Sequence, residues 1–172
     1  KAVRLTEKIL KKLQKDLPDN FQLPKIAIVD FNRCGLSTYA IGGYHAQSKT
    51  MFINSKFDSP DKIIRFLTKN EERFANKTVY APYLHELGHS YYYNKIGDIA
   101  IAQNIGYNEA RKLVDRKLMN YLGNINNVKL KEELSQYAYD GYIRGNYSEV
   151  IAESFSSNES IYNEIMSFFE GI

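Results

Sequence analysis

This sequence has very few cysteine, tryptophan and histidine residues, and its net charge is small. Its 172 residues include one cysteine, no tryptophan and three histidines, and the formal net charge is +3. A lone cysteine excludes an internal disulfide and a thiolate zinc cluster, and we expect Cys34 to be a small, half-buried residue rather than a nucleophile. No apolar run approaches the roughly 20 residues that a membrane-spanning helix needs. The weak net charge gives no reason to expect nucleic acid as the main partner.

The composition is that of an ordinary folded domain. Hydrophobic residues make up 44% of the chain and charged residues 25%, which is typical of globular proteins. The length suits a single domain over residues 1–172. The chain opens at Lys1 rather than Met, so we expect a processed product or a piece of a longer protein. Its richness in Lys, Asn, Ile and Tyr indicates a bacterial or phage origin.

Hydrophobic periodicity predicts a small sheet near the start and helices after it. Short apolar runs rich in β-branched residues predict strands over residues 25–31, 37–44 and 50–54. Helical spacing predicts helices over residues 3–17, 59–73, 78–95, 98–104, 108–122, 128–139, 147–156 and 159–169. The first helix is basic and amphipathic, and it either packs on its own domain or contacts a membrane or partner surface. Strands followed by helices indicate an α+β fold.

The most informative stretch is His85-Glu86-Leu87-Gly88-His89. Residues four apart on a helix lie on one face, so His85 and His89 can hold one metal ion through their ring nitrogens. Glu86 projects beside that face, where it can reach a metal-bound water and take its proton. Gly88 has no side chain, so another segment can pack closely against the helix at this position. The alternative is an accidental pattern on an ordinary helix, which is rare enough by chance that we favour a zinc site.

A catalytic zinc ion takes three protein ligands and keeps one position open. No histidine follows His89, and His45 lies far upstream in or beside a strand, where facing solvent or substrate is favoured over ligation. The third ligand is therefore expected to be a carboxylate. Glu149 and Glu153 lie four apart on a predicted helix, so one can bind the metal while the other accepts the ring N–H of a ligand histidine. We favour Glu149 as the ligand and Glu153 as the partner of the histidine.

Other assignments of these carboxylates stay open at the level of sequence. If Glu149 is not the ligand, the next candidates are Glu153 and then Asp140, Glu132 and Glu133. In a competing interpretation Asn146 caps the helix and Glu149 completes a capping box, which leaves no metal ligand there.

Two stretches together resemble the glutamate zincins, a class of zinc metallopeptidases. They are YLHELGHSYYY, residues 83–93, and YIRGNYSEVIAESFSS, residues 142–157. More narrowly they resemble the catalytic domain of anthrax lethal factor, the clostridial Pro-Pro endopeptidases and related domains of phages and mobile elements. The stretch IGGYHAQSKTMFINS, residues 41–55, supports the resemblance more weakly. The chain departs from the group at Val150-Ile151, where relatives often have two aromatic residues.

The resemblance implies a chemistry and a fold. It implies one zinc ion per chain, with Glu86 as general base and three ligands: His85, His89 and Glu149. It also implies a tyrosine that stabilises the oxyanion, for which Tyr142, seven residues before the glutamate ligand, is the first candidate and Tyr137 the second. The fold implied is zincin-like, with a small, mostly antiparallel sheet whose edge strand lies beside the active-site helix.

Zincins bind peptide in extended form along that edge strand. Residues 40–44 are the expected edge, so we predict substrate binding by Gly42, Gly43 and Tyr44, with a plain bulge at the two glycines as the alternative. Together these features predict a monomeric zinc endopeptidase that acts on a protein or peptide. They favour a secreted bacterial protein or one associated with a phage or mobile element. One rival is a catalytically silent zincin-like module of a larger phage or effector protein. Another is a protease that acts only in cis on its own precursor.

Overall fold

The computed structural model describes residues 1–18 and 21–172. The helices and strands in this part of the chain are, in order, α1 (Ala2–Leu13), β1 (Lys25–Val29), β2 (Gly42–His45), β3 (Thr50–Asn54), α2 (Pro60–Lys69), α3 (Ala81–Gln103), α4 (Tyr107–Gly123), α5 (Asn127–Glu133), α6 (Gln136–Arg144), α7 (Tyr147–Ser156) and α8 (Ser160–Glu170). The predicted α+β class is therefore confirmed.

The sheet has the strand order β1-β3-β2 and is mixed rather than mostly antiparallel, so that expectation is wrong. β2 and β3 form an antiparallel hairpin, in which Gly42 lies opposite Ile53. β3 then returns in the direction of β1, so the pairing of β1 with β3 is parallel. β2 has a strand partner on one side only among the described residues, and it contacts α3. An edge strand thus lies beside the helix that carries HELGH.

The predicted second strand is mostly a turn-rich connection. The strand that forms is β2, Gly42–His45, so only residues 42–44 of the predicted 37–44 pair within the sheet. Cys34 lies in the turns after β1 and is exposed, not half-buried as expected, because this connection runs over the surface. His45 is also exposed, and its Nδ1 lies 2.9 Å from the hydroxyl of Ser48 in the hairpin turn.

Two predicted divisions between helices differ from the structure for local reasons. The predicted helices 78–95 and 98–104 merge into one helix, α3, because Gly97 alone does not end it; α3 ends at Gln103, and its C-cap Asn104 adopts the left-handed conformation at φ 51°. Residues 128–139 form two helices, α5 and α6. Leu134 leaves the helical conformation there, and the side chain of Ser135 caps α6 by accepting a hydrogen bond from the N–H of Ala138.

The described residues form two hydrophobic cores, and the helix α3 contributes residues to both. The sheet core contains residues of α1, the strands, α2 and the first half of α3, including Ile9 and Leu13, so α1 packs on its own domain. The helical core contains the second half of α3 together with residues of α4 to α8. Within residues 1–18 and 21–172, no helix is both long enough and apolar enough to cross a membrane.

Candidate metal centre

The two histidines of HELGH lie on one face of α3, as their spacing predicts. Their side chains are each 12% exposed, and the Nε2 atoms of His85 and His89 are 3.1 Å apart. Two ring nitrogens this close, on residues one helical turn apart, point at a common position. The face they form opens into a cleft rather than into either core.

Glu149 completes a triangle of donor atoms from the first turn of α7. Its Oε2 lies 3.3 Å from Nε2 of His85 and 3.5 Å from Nε2 of His89. A tetrahedral ion with bonds of about 2.0–2.1 Å separates neighbouring ligand atoms by about 3.3–3.4 Å, so the donor set fits zinc. Among the described residues these three alone form a group able to hold a metal ion, which leaves out Asp140, Glu132, Glu133 and His45.

The competing capping box does not form. Asn146 is the N-cap residue of α7, but its side chain makes no cap hydrogen bond. Instead the Oδ1 of Asn146 accepts a hydrogen bond from the hydroxyl of Ser148, at 2.8 Å. The Glu149 carboxylate is therefore directed to the histidines rather than to the start of its own helix.

Close backbone packing brings the histidines and Glu149 together. A Cβ built on Gly88 would lie 2.7 Å from the Cα of Ala152, so only glycine allows α7 to approach α3 this closely. This is the role expected for Gly88 from the sequence. Gly141 of α6 likewise allows a close approach at Glu149, because a Cβ on Gly141 would lie 2.8 Å from the Cβ of Glu149.

Glu153 fixes the orientation of His85. Its Oε1 lies 2.6 Å from Nδ1 of His85, which leaves the Nε2 of that ring facing the cleft. The second carboxylate oxygen accepts hydrogen bonds from the N–H of Ala75, at 2.6 Å, and the hydroxyl of Ser135, at 2.8 Å. The N–H of Ser135 in turn donates to the hydroxyl of Tyr162, at 2.6 Å. Such a chain behind a ligand histidine fixes its tautomer and its direction.

Sequence reasoning missed Ala75, Ser135 and Tyr162. Ser135 carries one local signal, since a serine ahead of a helix is a good N-cap. Ala75 contributes only its backbone N–H, and no residue type announces that role. Tyr162 is one of 14 tyrosines, so nothing in the sequence sets it apart.

Glu86 lies next to the donor triangle without joining it. The residue is buried, and its Oε2 is fully buried with no hydrogen-bond partner in the structure. Leaving a buried carboxylate oxygen unpaired is costly, on the order of 1–3 kcal/mol. Burial, the largest influence, raises the pKa of Glu86 despite the neighbouring histidines. A buried carboxyl with an unused acceptor oxygen beside three candidate metal ligands is a candidate functional group.

The electrostatics of the triangle favour a positive charge at its centre. Burial by itself lowers the pKa of His85, but hydrogen bonds to Glu149 and Glu153 raise that pKa well above its ordinary value. Burial also opposes ionisation of Glu149, yet its hydrogen bonds with His85 and His89 hold its pKa well below the usual range. Protons can supply that positive charge, and so can a divalent cation.

The triangle opens into a cleft of about 540 Å³, within the range of small-ligand and substrate sites. Residues 40–44 form one wall of this cleft, and Gly42, Gly43 and Tyr44 all line it. Gly42 has a further role, because a Cβ there would lie 2.9 Å from the Cγ of Glu86. Nothing lies within 4 Å of a Cβ built on Gly43. Gly42 therefore makes room for the Glu86 side chain.

The two candidate tyrosines are placed differently. Tyr137 lines the cleft, with its ring centroid 6.1 Å from that of His85 and 5.1 Å from that of Phe74. Tyr142 does not line the cleft; it packs against the helical core beside Tyr139. The structure thus brings Tyr137, and not Tyr142, to the metal centre.

No protein-family model, curated protein or solved structure matches the chain. The class that the fold and site define is an α+β protein with a candidate metal centre built from two histidines and a glutamate.

Proposed function

We propose that this protein is a zinc-dependent endopeptidase with a zincin-like fold. The observation that carries the proposal is the combination of the donor triangle with Glu86 in one cleft: three ligand atoms 3.1–3.5 Å apart, and beside them a buried carboxylate oxygen without a partner. A site that only stored or sensed a metal would have no need of that unpaired carboxylate.

His85, His89 and Glu149 would hold the zinc ion. When bound, zinc polarises the scissile carbonyl group and lowers the pKa of water toward about 7. The donor set supports zinc over magnesium or calcium, which prefer all-oxygen sites.

Glu86 acts as the general base. Its unpaired Oε2 accepts the proton of the attacking water, and burial, which raises the pKa of this carboxyl, strengthens its affinity for that proton. Glu86 then passes the proton to the leaving amine. The Glu86 side chain is held between the sheet and α3. Gly42 leaves room for it on the sheet side, and this part of α3 is buried on the opposite side.

Tyr137 is the residue we assign to the oxyanion. Its phenol lies in the cleft wall next to His85 and donates a hydrogen bond to the oxygen on which negative charge develops. Tyr137 lies in the first turn of α6. Hydrogen bonds from the N–H groups of Gln136 and Tyr137 to the carbonyls of Glu72 and Arg73 fix the start of this helix.

The free edge of β2 would take the substrate backbone. An extended peptide can add to an exposed strand by main-chain hydrogen bonds, with its side chains directed alternately into and away from the cleft. β2 lines the cleft and pairs with a strand on one side only in the described part of the chain. A scissile bond placed along it passes the donor triangle.

Zinc content and peptide cleavage, measured on matched variants, test the proposal. We expect one zinc per chain in the wild type, a strongly reduced content in Glu149→Ala, and wild-type content in Glu133→Ala, an exposed glutamate outside the site. Glu86→Gln should bind zinc normally and lose about 10²–10⁴-fold in kcat on any peptide that the wild type cleaves from a library.

Each variant separates one part of the proposal. A folded wild type that takes up no zinc after reconstitution would exclude the metal centre. Zinc binding without cleavage of any library peptide would favour the silent binding module instead. Full cleavage by Glu86→Gln would remove Glu86 from the mechanism.

A further inference from the structure

The cleft carries one cationic side chain that the proposed mechanism does not use. Arg111, on α4, lines the cleft together with Tyr93, which follows His89 by one turn of α3. Within residues 1–18 and 21–172, no other arginine and no lysine lines this cleft. Arg111 lies beyond His89, whereas Tyr137 and Phe74 lie toward His85. The cleft therefore has a cationic side chain at one end only.

Two neighbours hold the guanidinium group of Arg111 in place. Its Cζ lies 5.9 Å from the centroid of the Tyr93 ring, a cation–π contact, and its Nε lies 3.6 Å from the Oδ2 of Asp115. Asp115 is anchored in turn by a short hydrogen bond from the hydroxyl of Tyr92. An arginine stacked on a tyrosine and paired through Nε keeps its planar fork in a defined direction.

The terminal nitrogens of the fork make no ion pair with the described residues. The ion pair with Asp115 uses Nε, and the Tyr92 hydroxyl is a further neighbour of the guanidinium group. The side chain of Arg111 is 44% exposed, so these nitrogens are accessible from the cleft. An accessible planar pair of N–H donors matches a carboxylate, which binds such a fork with two parallel hydrogen bonds.

We propose that Arg111 is a specificity residue that selects peptides with an acidic side chain close to the cleaved bond. The inference rests on the proposed peptidase function. One turn of helix spans about 5.4 Å and one residue of an extended peptide about 3.3 Å. The selected residue therefore lies within about three positions of the cleaved bond, on the side of the donor triangle nearer to Tyr93. Asp115 offsets part of the arginine charge, so the preference is moderate in size.

The test compares acids with their isosteric amides. A peptide that the wild type cleaves is prepared with both termini blocked, and each position flanking the cleaved bond is varied between Asp and Asn and between Glu and Gln. We expect the wild type to prefer the acid about tenfold in kcat/KM at one position, the size of one partly exposed charge-assisted hydrogen bond. Arg111→Gln should abolish this preference, and Arg111→Glu should replace it with a preference for lysine over glutamine.

The control is Arg116→Gln, because Arg116 is exposed on the same helix and does not line the cleft; it should keep the acidic preference. Arg111→Gln should also keep the zinc content of the wild type. Equal rates for acid and amide at every position in the wild type would overturn the inference and leave the peptidase function standing. A preference that appears only with a free peptide C-terminus would overturn it too, by assigning Arg111 to the terminal carboxylate. A wild type that cleaves no peptide would remove the proposed function and this inference with it.

Discussion

The contact between α3 and α7 at Gly88 offers a sharp test of the metal centre. In Gly88→Ala the new Cβ would lie 2.7 Å from the Cα of Ala152 and 2.9 Å from the Cβ of Phe155. Rotating a side chain cannot relieve either contact, because neither atom moves with a rotamer. Ordinary carbon contacts begin at 3.4 Å, so α7 must retreat by about 0.7 Å, the difference between 3.4 and 2.7 Å.

That retreat directly moves the candidate metal ligands relative to one another. α7 carries Glu149 and Glu153, while α3 carries His85 and His89. A ligand displaced by about 0.7 Å lies far outside the ±0.2 Å range within which metal sites keep their bond lengths. We expect Gly88→Ala to lose about 10–100-fold in zinc affinity, as when the support of a ligand histidine is removed. Overpacking should also lower the free energy of unfolding of the metal-free protein by about 1–3 kcal/mol.

Gly97→Ala is the matched control on the same helix. Nothing lies within 4 Å of a Cβ built on Gly97. Alanine is the better helix former, so this variant should gain about 0.5–1 kcal/mol in free energy of unfolding and keep its zinc affinity. Competition with a chromophoric chelator measures the affinity, and urea denaturation in excess chelator measures the stability. Equal zinc affinities in Gly88→Ala and Gly97→Ala would refute the argument that helix spacing sets the ligand geometry.

Three further outcomes are expected. Gly42→Ala should push the Glu86 side chain aside, since its Cβ would lie 2.9 Å from Cγ, and lower kcat by about 100-fold at unchanged zinc content; an unchanged kcat would show that Gly42 does not position the base. Glu153→Gln should weaken zinc binding by about 10–100-fold in calorimetric titration, because the His85 ring loses its charged acceptor; wild-type affinity would contradict this. Burial raises the pKa of Tyr162 from 10.0 to about 12. The stability that this tyrosine contributes is therefore present below pH 10 and lost between about pH 10 and 12, by about 3 kcal/mol. Urea denaturation across that range should show a flatter alkaline loss in Tyr162→Phe than in the wild type.

The sequence could predict what depends on spacing along one helix. HELGH places both histidines on one face wherever a helix forms, and the pattern from Ala81 to Gln103 is helical throughout. Glu149 and Glu153 are similarly tied together, because they are one turn apart on α7. The sequence favoured Glu149 as the ligand and Glu153 as the partner of the histidine, and the structure places Glu149 beside Nε2 and Glu153 beside Nδ1 of His85.

The structure places the two candidate tyrosines differently. Counting back seven residues from Glu149 gives Tyr142, but α6 ends at Arg144, its C-cap Gly145 is left-handed at φ 69°, and the chain turns before α7 begins. The Tyr142 ring lies on the helical core, whereas Tyr137, a turn and a half earlier on α6, lines the cleft. An offset along the chain does not determine a distance in space where the two residues belong to different helices.

The sequence by itself thus determined the histidine pair, the place of Glu86 next to it and the α+β class, because each follows from local periodicity. Only the tertiary structure decided how α7 approaches α3, which strand direction the sheet takes and what supports Glu153. The hydrogen bond from the N–H of Ala75 to Glu153 joins residues 78 apart in the chain. Contacts of this kind depend on how whole helices pack, and no spacing along the chain encodes them.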